Sequence, residues 1–328
     1  MGWWRVSADT LAASRFVISP LGETTASLIT LHRGAAAHPG DRTWLDAHQS
    51  AYRERLAGDP VTALALRAAL GRRWIADFLT PAPLGEGEQP FSEELAPIRY
   101  MPPEEVLADL EISLDGQLPA RLRRRPDLAP RLAGLLEWVW AGCVLPYWPR
   151  RRRIIEADIL ARSARLGNGG WAAALDGIRP GIRWLGNGRL QINAHNYPPK
   201  DISAAQLLFV PVTTSRGWTS WSEPHRYALI YPCAGVLADT GQASVPAPLA
   251  ALLGPGRAQV LILLETPKST TQLVALTGLG LGSVGRHLKI LLDAHLIQRR
   301  RAGRSVLYSR TQPGNTLVDA QPVSSRTG

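Results

Sequence analysis

The chain has 328 residues, 45% apolar and 20% charged, with a formal net charge of +10 at pH 7. That length exceeds one ordinary core and predicts at least two domains, and the apolar fraction supports folding without disulfide or metal staples. Cys143 and Cys233 are the only cysteines, which excludes a disulfide framework and a cysteine-rich metal site and fits a reducing cytosol.

The charge is unevenly placed. Residues 249–328 hold ten of the 37 Lys and Arg but only three of the 27 Asp and Glu, so that end is expected to meet a polyanion. All 11 tryptophans lie before residue 222, and Tyr308 is the only aromatic residue after Tyr231; this shift in composition predicts two domains. The opening MGWWRVSADT has no basic or apolar signal segment. The most apolar runs, 135–148 and 260–264, fall short of the roughly 20 residues that span a bilayer. A cytoplasmic chain without membrane contact is expected.

In chain order, WWRVS reads as a strand and residues 8–34 as largely helical, interrupted at Pro20. Helical spacing predicts helices over 43–56, 60–79, 103–110, 128–145 and 150–167, with a loop at 80–91. Residues 181–193 read as a hairpin because Asn187-Gly188 suits a type I′ turn. QLLFVPVTTS and RYALIYPCAG add two strands. The fold class expected is α+β: a mostly helical domain over 1–242 with a small antiparallel sheet, then a linker at 243–255, a winged helix-turn-helix at 256–312 and a tail at 313–328.

The C-terminal pattern carries the chemistry. A helix over 257–265 is followed by TTQLVALTG, which Thr270 can cap and Gly278 can end. In GSVGRHLKILLDAHL, Val284, Leu288, Leu291 and Leu292 share one helical face, and Gly282, Arg286, Lys289 and Asp293 lie opposite, with Ser283 at the edge. Residues 296–310 read as a hairpin with Val306 and Tyr308 turned inward and a basic tip. Such a helix enters the major groove with its first residues at base edges. Gly280, Gly282 and Gly285 keep its first turns thin. The Arg286 fork suits guanine O6 and N7, a contact worth roughly 1–3 kcal/mol of discrimination. Lys289 is placed to meet phosphate, and Arg299, Arg300, Arg301 and Arg304 on the wing are placed to bind the backbone or the minor groove. Thr270, Thr271 and Ser283 complete the expected contacts. His287 reads equally as a phosphate contact or a helix-packing residue, and His295 reads as structural.

A rival reading uses the same glycines. Residues 280–285 match G-x-G-x-x-G, the dinucleotide fingerprint, but that motif needs a strand before it and an acid about 20 positions later. A helix is predicted upstream, and Asp293 follows only eight positions on. No cofactor is therefore expected.

Residues 256–311 resemble the DNA-binding domain of ArsR/SmtB-type repressors, on TTQLVALTGL, SVGRHLKILLDAHLI and RRRAGRSVLYSRT. The resemblance implies a homodimeric transcriptional regulator on a palindromic double-stranded operator. Gly280 and Gly285 depart from it, standing where the family often has Ser. The family's metal sensors carry cysteines on the helix matching TTQLVALTG, which has none, so metal sensing is not expected. Residues 6–28, with YWPRRRRIIEADI and LIYPCAG, resemble an uncharacterised domain fused ahead of ArsR-like modules in actinobacterial regulators, which supplies no ligand.

The N-terminal domain shows no G-x-S-x-G, H-E-x-x-H or P-loop, so no enzyme is expected. Its expected role is dimerisation or sensing of a small-molecule effector. WVWAGCVLPYWP reads as core first and as an effector pocket second. Arg150–Arg153 read as a solvated helix face paired with Glu156 and Asp158. A competing functional reading is an enzyme or small-molecule-binding protein whose winged helix mediates protein contacts.

Overall fold

The computed structural model describes residues 2–36, 39–71, 74–85, 87–193, 197–233, 245–265, 267–302 and 305–320. The chain is mixed α+β and forms two compact units, one of residues 1–155 with 175–233 and one of 156–174 with 234–328.

The first unit opens with β1 (Trp3–Arg5), α1 (Ala8–Ala13) and β2 (Arg15–Phe16). Then α2 (Pro20–Arg33) starts at a Ser19 cap that accepts the Gly22 N–H and ends at Gly34 with φ 61°. Pro20 sits in its first turn, so proline begins this helix instead of interrupting one. Helices α3 (Pro39–Ala57), α4 (Pro60–Ala69), α5 (Phe91–Arg99), α6 (Pro103–Leu114), α7 (Ala120–Arg123) and α8 (Leu128–Val139) follow. They pack around Leu28, Leu31, Leu66, Leu79, Leu95, Ile98, Leu110, Leu132 and Leu136.

Three expectations change here. Helix α4 stops at Ala69, not 79, because the chain must turn at Gly71, where a Cβ would lie 1.8 Å from the Ser113 carbonyl oxygen. Helix α5 was not anticipated: Pro97 masks the Phe91, Leu95, Ile98 stripe that the core buries. After α8 the helix loosens into a π turn over Trp140–Val144, ahead of Pro146, which has no N–H to donate. The Trp44 indole N–H takes the Cys143 carbonyl at 2.7 Å.

Helix α9 (Trp148–Leu175) crosses from the first unit's residues into the second's and breaks its helical path at Gly169 and Gly170. By length and composition alone, one window within Leu128–Leu175 is apolar enough to cross a bilayer, and half of it is buried inside the protein.

Strands β3 (Arg183–Gly186) and β4 (Arg189–Gln191) form the predicted hairpin, with Asn187 and Gly188 both at positive φ. Strands β5 (Lys200–Asp201), β6 (Gln206–Val212), β7 (Thr219–Ser222) and β8 (Arg226–Pro232) complete two four-stranded sheets, ordered β3-β4-β1-β5 and β2-β6-β8-β7. The sheets are mixed, not antiparallel as expected. Strands β6 and β8 pair in parallel, and the connection between them carries β7, which lies antiparallel on β8. The apolar runs of β6 and β8 suit a parallel pair covered on both faces, and both are buried almost throughout.

Helix α2 packs Ala26 and Ile29 against Leu208, Val210 and Ile230 of the sheet and Leu28 and Leu31 into the helical core. Glu23 on this helix has no exposed surface. Its carboxylate accepts Arg151 Nη1 at 2.5 Å, the Thr213 backbone N–H at 2.7 Å and the Thr213 hydroxyl. Arg151 also donates to Ser27 Oγ at 2.7 Å and lies over the Trp44 ring. The basic run is therefore not one solvated face. Arg151 is buried, Arg152 pairs with Glu88, and Asp158 pairs with Arg162.

The second unit has its own core of Val260, Leu261, Leu264, Leu273, Val284, Leu288, Leu291 and Ile297. Its elements are α10 (Ala247–Leu253), α11 (Pro255–Leu263), β9 (Lys268–Ser269), α12 (Thr270–Thr277), α13 (Leu281–Asp293), β10 (Ile297–Ala302), β11 (Ser305–Arg310) and α14 (Gln312–Asp319). The sheet order is β10-β11-β9. Two expectations are corrected. Residues 247–253, assigned to a linker, form a helix that buries Leu249. Residues 312–319, assigned mostly to a tail, form a helix capped by Thr311, with Leu317 and Val318 against the core.

Truncating Arg151→Ala is expected to destabilise the first unit by about 3–5 kcal/mol, because it strands a buried carboxylate, and replacing both Glu23 and Arg151 by Met should cost less. Urea unfolding followed by tryptophan fluorescence checks the order. Gly71→Ala should cost about 1–3 kcal/mol through overpacking. In the same melt Gly134→Ala, which faces open space in α8, should be neutral or slightly stabilising.

Candidate nucleic-acid interface

Helix α12 begins at a capping box. The Ser269 hydroxyl oxygen accepts the Gln272 N–H at 3.2 Å, and the Gln272 side chain accepts the Ser269 N–H at 2.8 Å. The cap is thus Ser269, not Thr270. Thr270 is half-buried in the first turn and Thr271 is exposed beside it. Gly278 ends the helix at φ 71°. The segment before Gly280 is therefore helical, and the strand Lys268–Ser269 lies upstream of that helix, which is not the context of a dinucleotide fingerprint.

Helix α13 anchors itself through Val284, Leu288 and Leu291, all at most 2% exposed. Gly282, Gly285, Arg286 and Lys289 are exposed and Ser283 is half-buried. Arg286 and Lys289 are three positions apart, hence neighbours on the helix surface. The N-cap is Gly280, which offers no side-chain hydrogen bond to the first turn. A Cβ added at Gly280, Gly282 or Gly285 would meet nothing within 4 Å, so internal packing does not require these three glycines.

His287 does not join this outward face. It is half-buried, and a Cβ on Gly256 would lie 2.7 Å from its Nε2, so the ring packs on the start of α11. Burial first, then the Arg257 and Arg286 charges, lowers its pKa. His295, expected to be structural, is exposed and takes φ 56° just after α13, a left-handed position more usual for glycine.

The described basic residues of 247–319 divide in two. Arg310 donates to the Leu261 and Ile262 carbonyls at 2.8 and 2.5 Å, closing the end of α11. Arg257 donates to the Leu253 carbonyl, and Lys268 is 4% exposed. These three serve the fold. Arg299, Arg300 and Arg301 are exposed on the edge strand β10, opposite Tyr308, Leu307 and Val306. Successive strand residues face opposite sides, so Arg299 and Arg301 share one face and Arg300 takes the other. Val306 is 39% exposed and not turned inward, while Tyr308 is partly buried against the core. Arg304 lies outside the described residues.

Sequence reading missed Leu281, which is 64% exposed in the first turn of α13. Its position between two glycines, off the buried stripe, was the available signal. No family model, curated protein or solved structure matches the chain. The resemblance of residues 256–311 to ArsR/SmtB-type domains rests on their own motifs.

Replacing Gly285, inside α13, by Ala should stabilise that helix by about 0.5–1 kcal/mol, since alanine restricts the unfolded chain and meets no atom here. A guanidinium melt followed by far-ultraviolet circular dichroism checks the sign.

Proposed function

We propose that the chain is a sequence-specific DNA-binding transcriptional regulator, a repressor acting as a homodimer on a palindromic operator. Residues 256–312 are read as a winged helix-turn-helix: α13 enters the major groove and the hairpin β10–β11 lies on the backbone. One observation carries this reading. The face of α13 that bears Arg286 and Lys289 is open, and its two glycines, Gly282 and Gly285, have no packing reason. Glycines that weaken a helix while letting its backbone approach another surface fit a helix seated against base edges. The uncapped first turn leaves N–H groups for a phosphate. The arginines of β10 supply sequence-independent attraction. Exposed Leu281 favours a second reading, in which this module docks a protein; behaviour on heparin that is insensitive to salt would mark it.

Fragments of the native genome bound by the full chain, followed by footprinting, define the operator and its half-site spacing. On that operator Arg286→Ala should abolish specific binding in a gel-shift titration with the fold intact. Unchanged affinity would refute the assignment. Arg299→Gln with Arg301→Gln should weaken all DNA alike and flatten the salt dependence. Gly285→Ala should bind DNA more weakly although its helix is more stable, a combination that a packing role does not produce.

A further inference from the structure

The first unit contains a cavity of about 430 Å³, within the roughly 300–1,000 Å³ of small-molecule sites. It is lined by Trp74, Tyr197 and Trp221, by Arg33 and Arg179, and by Asp77. The Trp74 ring lies 5.4 Å from Trp221 and 6.1 Å from Tyr197. Asp77 holds the two indoles: Trp74 Nε1 donates to its Oδ1 at 3.1 Å, and Trp221 donates to it as well. Burial, with the nearby Asp109 carboxylate, raises Asp77 to about 6. Its hydrogen bonds make it a brace for the aromatic surface.

Arg179 is the unexplained group. Its Nη2 donates to the Ile192 carbonyl at 3.1 Å, and no ion pair offsets its charge among the described residues. Burial alone pulls its pKa down. A cation withdrawn from water without a counter-charge is costly. The fold nevertheless makes room for it. A Cβ at Gly217 would lie 3.2 Å from Arg179 Nη1 and 2.5 Å from the Ile230 carbonyl. Arg33, exposed, adds a second guanidinium to the same cavity. Trp218, also in the lining, has a buried indole N–H without an acceptor.

We propose that this cavity binds a planar aromatic anion, with its ring on the Trp74 and Trp221 surface and its anionic group on Arg179 and Arg33. The guanidinium forks suit a carboxylate or a phosphate equally, and the ring requirement is the same for both. This goes beyond the DNA-binding reading and does not rest on it.

Calorimetric titration of the full chain, without DNA, tests it with four probes: indole-3-carboxylate, adenosine 5′-monophosphate, neutral indole and cationic tryptamine. At least one of the two anions should bind one to one and about tenfold or more tighter than indole, as expected of a charge-assisted hydrogen bond. The one that binds identifies the anionic group as carboxylate or phosphate. Arg179→Met should erase the preference over indole. Arg33→Gln, at an exposed position, should weaken the same anion and serves if the first variant fails to fold. Absence of anion binding at millimolar concentration, tryptamine binding as tightly as either anion, or anion affinity unchanged in the folded variants would overturn the proposal.

Discussion

The first unit depends on how a buried helix carries a charge. Helix α2 touches the sheet on one side and the helical core on the other, so Glu23 has no route to water. An isolated carboxylate there would be untenable. Arg151, Ser27 and Thr213 make it tenable, and in doing so they join α2 to the start of α9 and to the chain leaving β6. Such a pair contributes modest net stability, but it penalises any packing in which the partners separate. It therefore fixes the register of helix against sheet.

Residues 247–319 of the second unit handle their charges differently. Arg257, Arg310 and Lys268 are drawn into the fold, where carbonyl acceptors or burial fix them. Glu265 and Asp319, two of the three acids in residues 247–319, act on Arg310. The exposed surplus therefore falls on α13 and β10. A bare count of basic residues cannot make this distinction, because it weighs Arg310 and Arg286 alike.

Legibility in the sequence followed how local each signal was. Asn187-Gly188 and the Val284, Leu288, Leu291 stripe are local, and the structure places both as the spacing predicted. The fold class and the exposure of Arg286 and Lys289 followed from the same kind of periodicity. Arg151 was misjudged because its partner is 128 positions away and nothing near it in sequence signals burial. The end of α4 depends on Ser113 meeting Gly71, a contact no window of a dozen residues contains. The strand pairing failed for a related reason: QLLFVPV and RYALIYP reveal strands, but not that a third would intervene and turn their pairing parallel. The aromatic cavity was invisible because its lining comes from segments far apart along the chain.

The final helix sets where this module can be cut. Gly314 fits so closely under the Leu296 carbonyl that a Cβ would come within 2.0 Å of the oxygen, and Leu317 and Val318 cover apolar core behind it. A fragment ending at Arg310, where the resemblance to the repressor domains all but stops, would wet that core and free the end of the hairpin. An excised version for crystallisation or for spectroscopy with oligonucleotides should therefore run to Asp319.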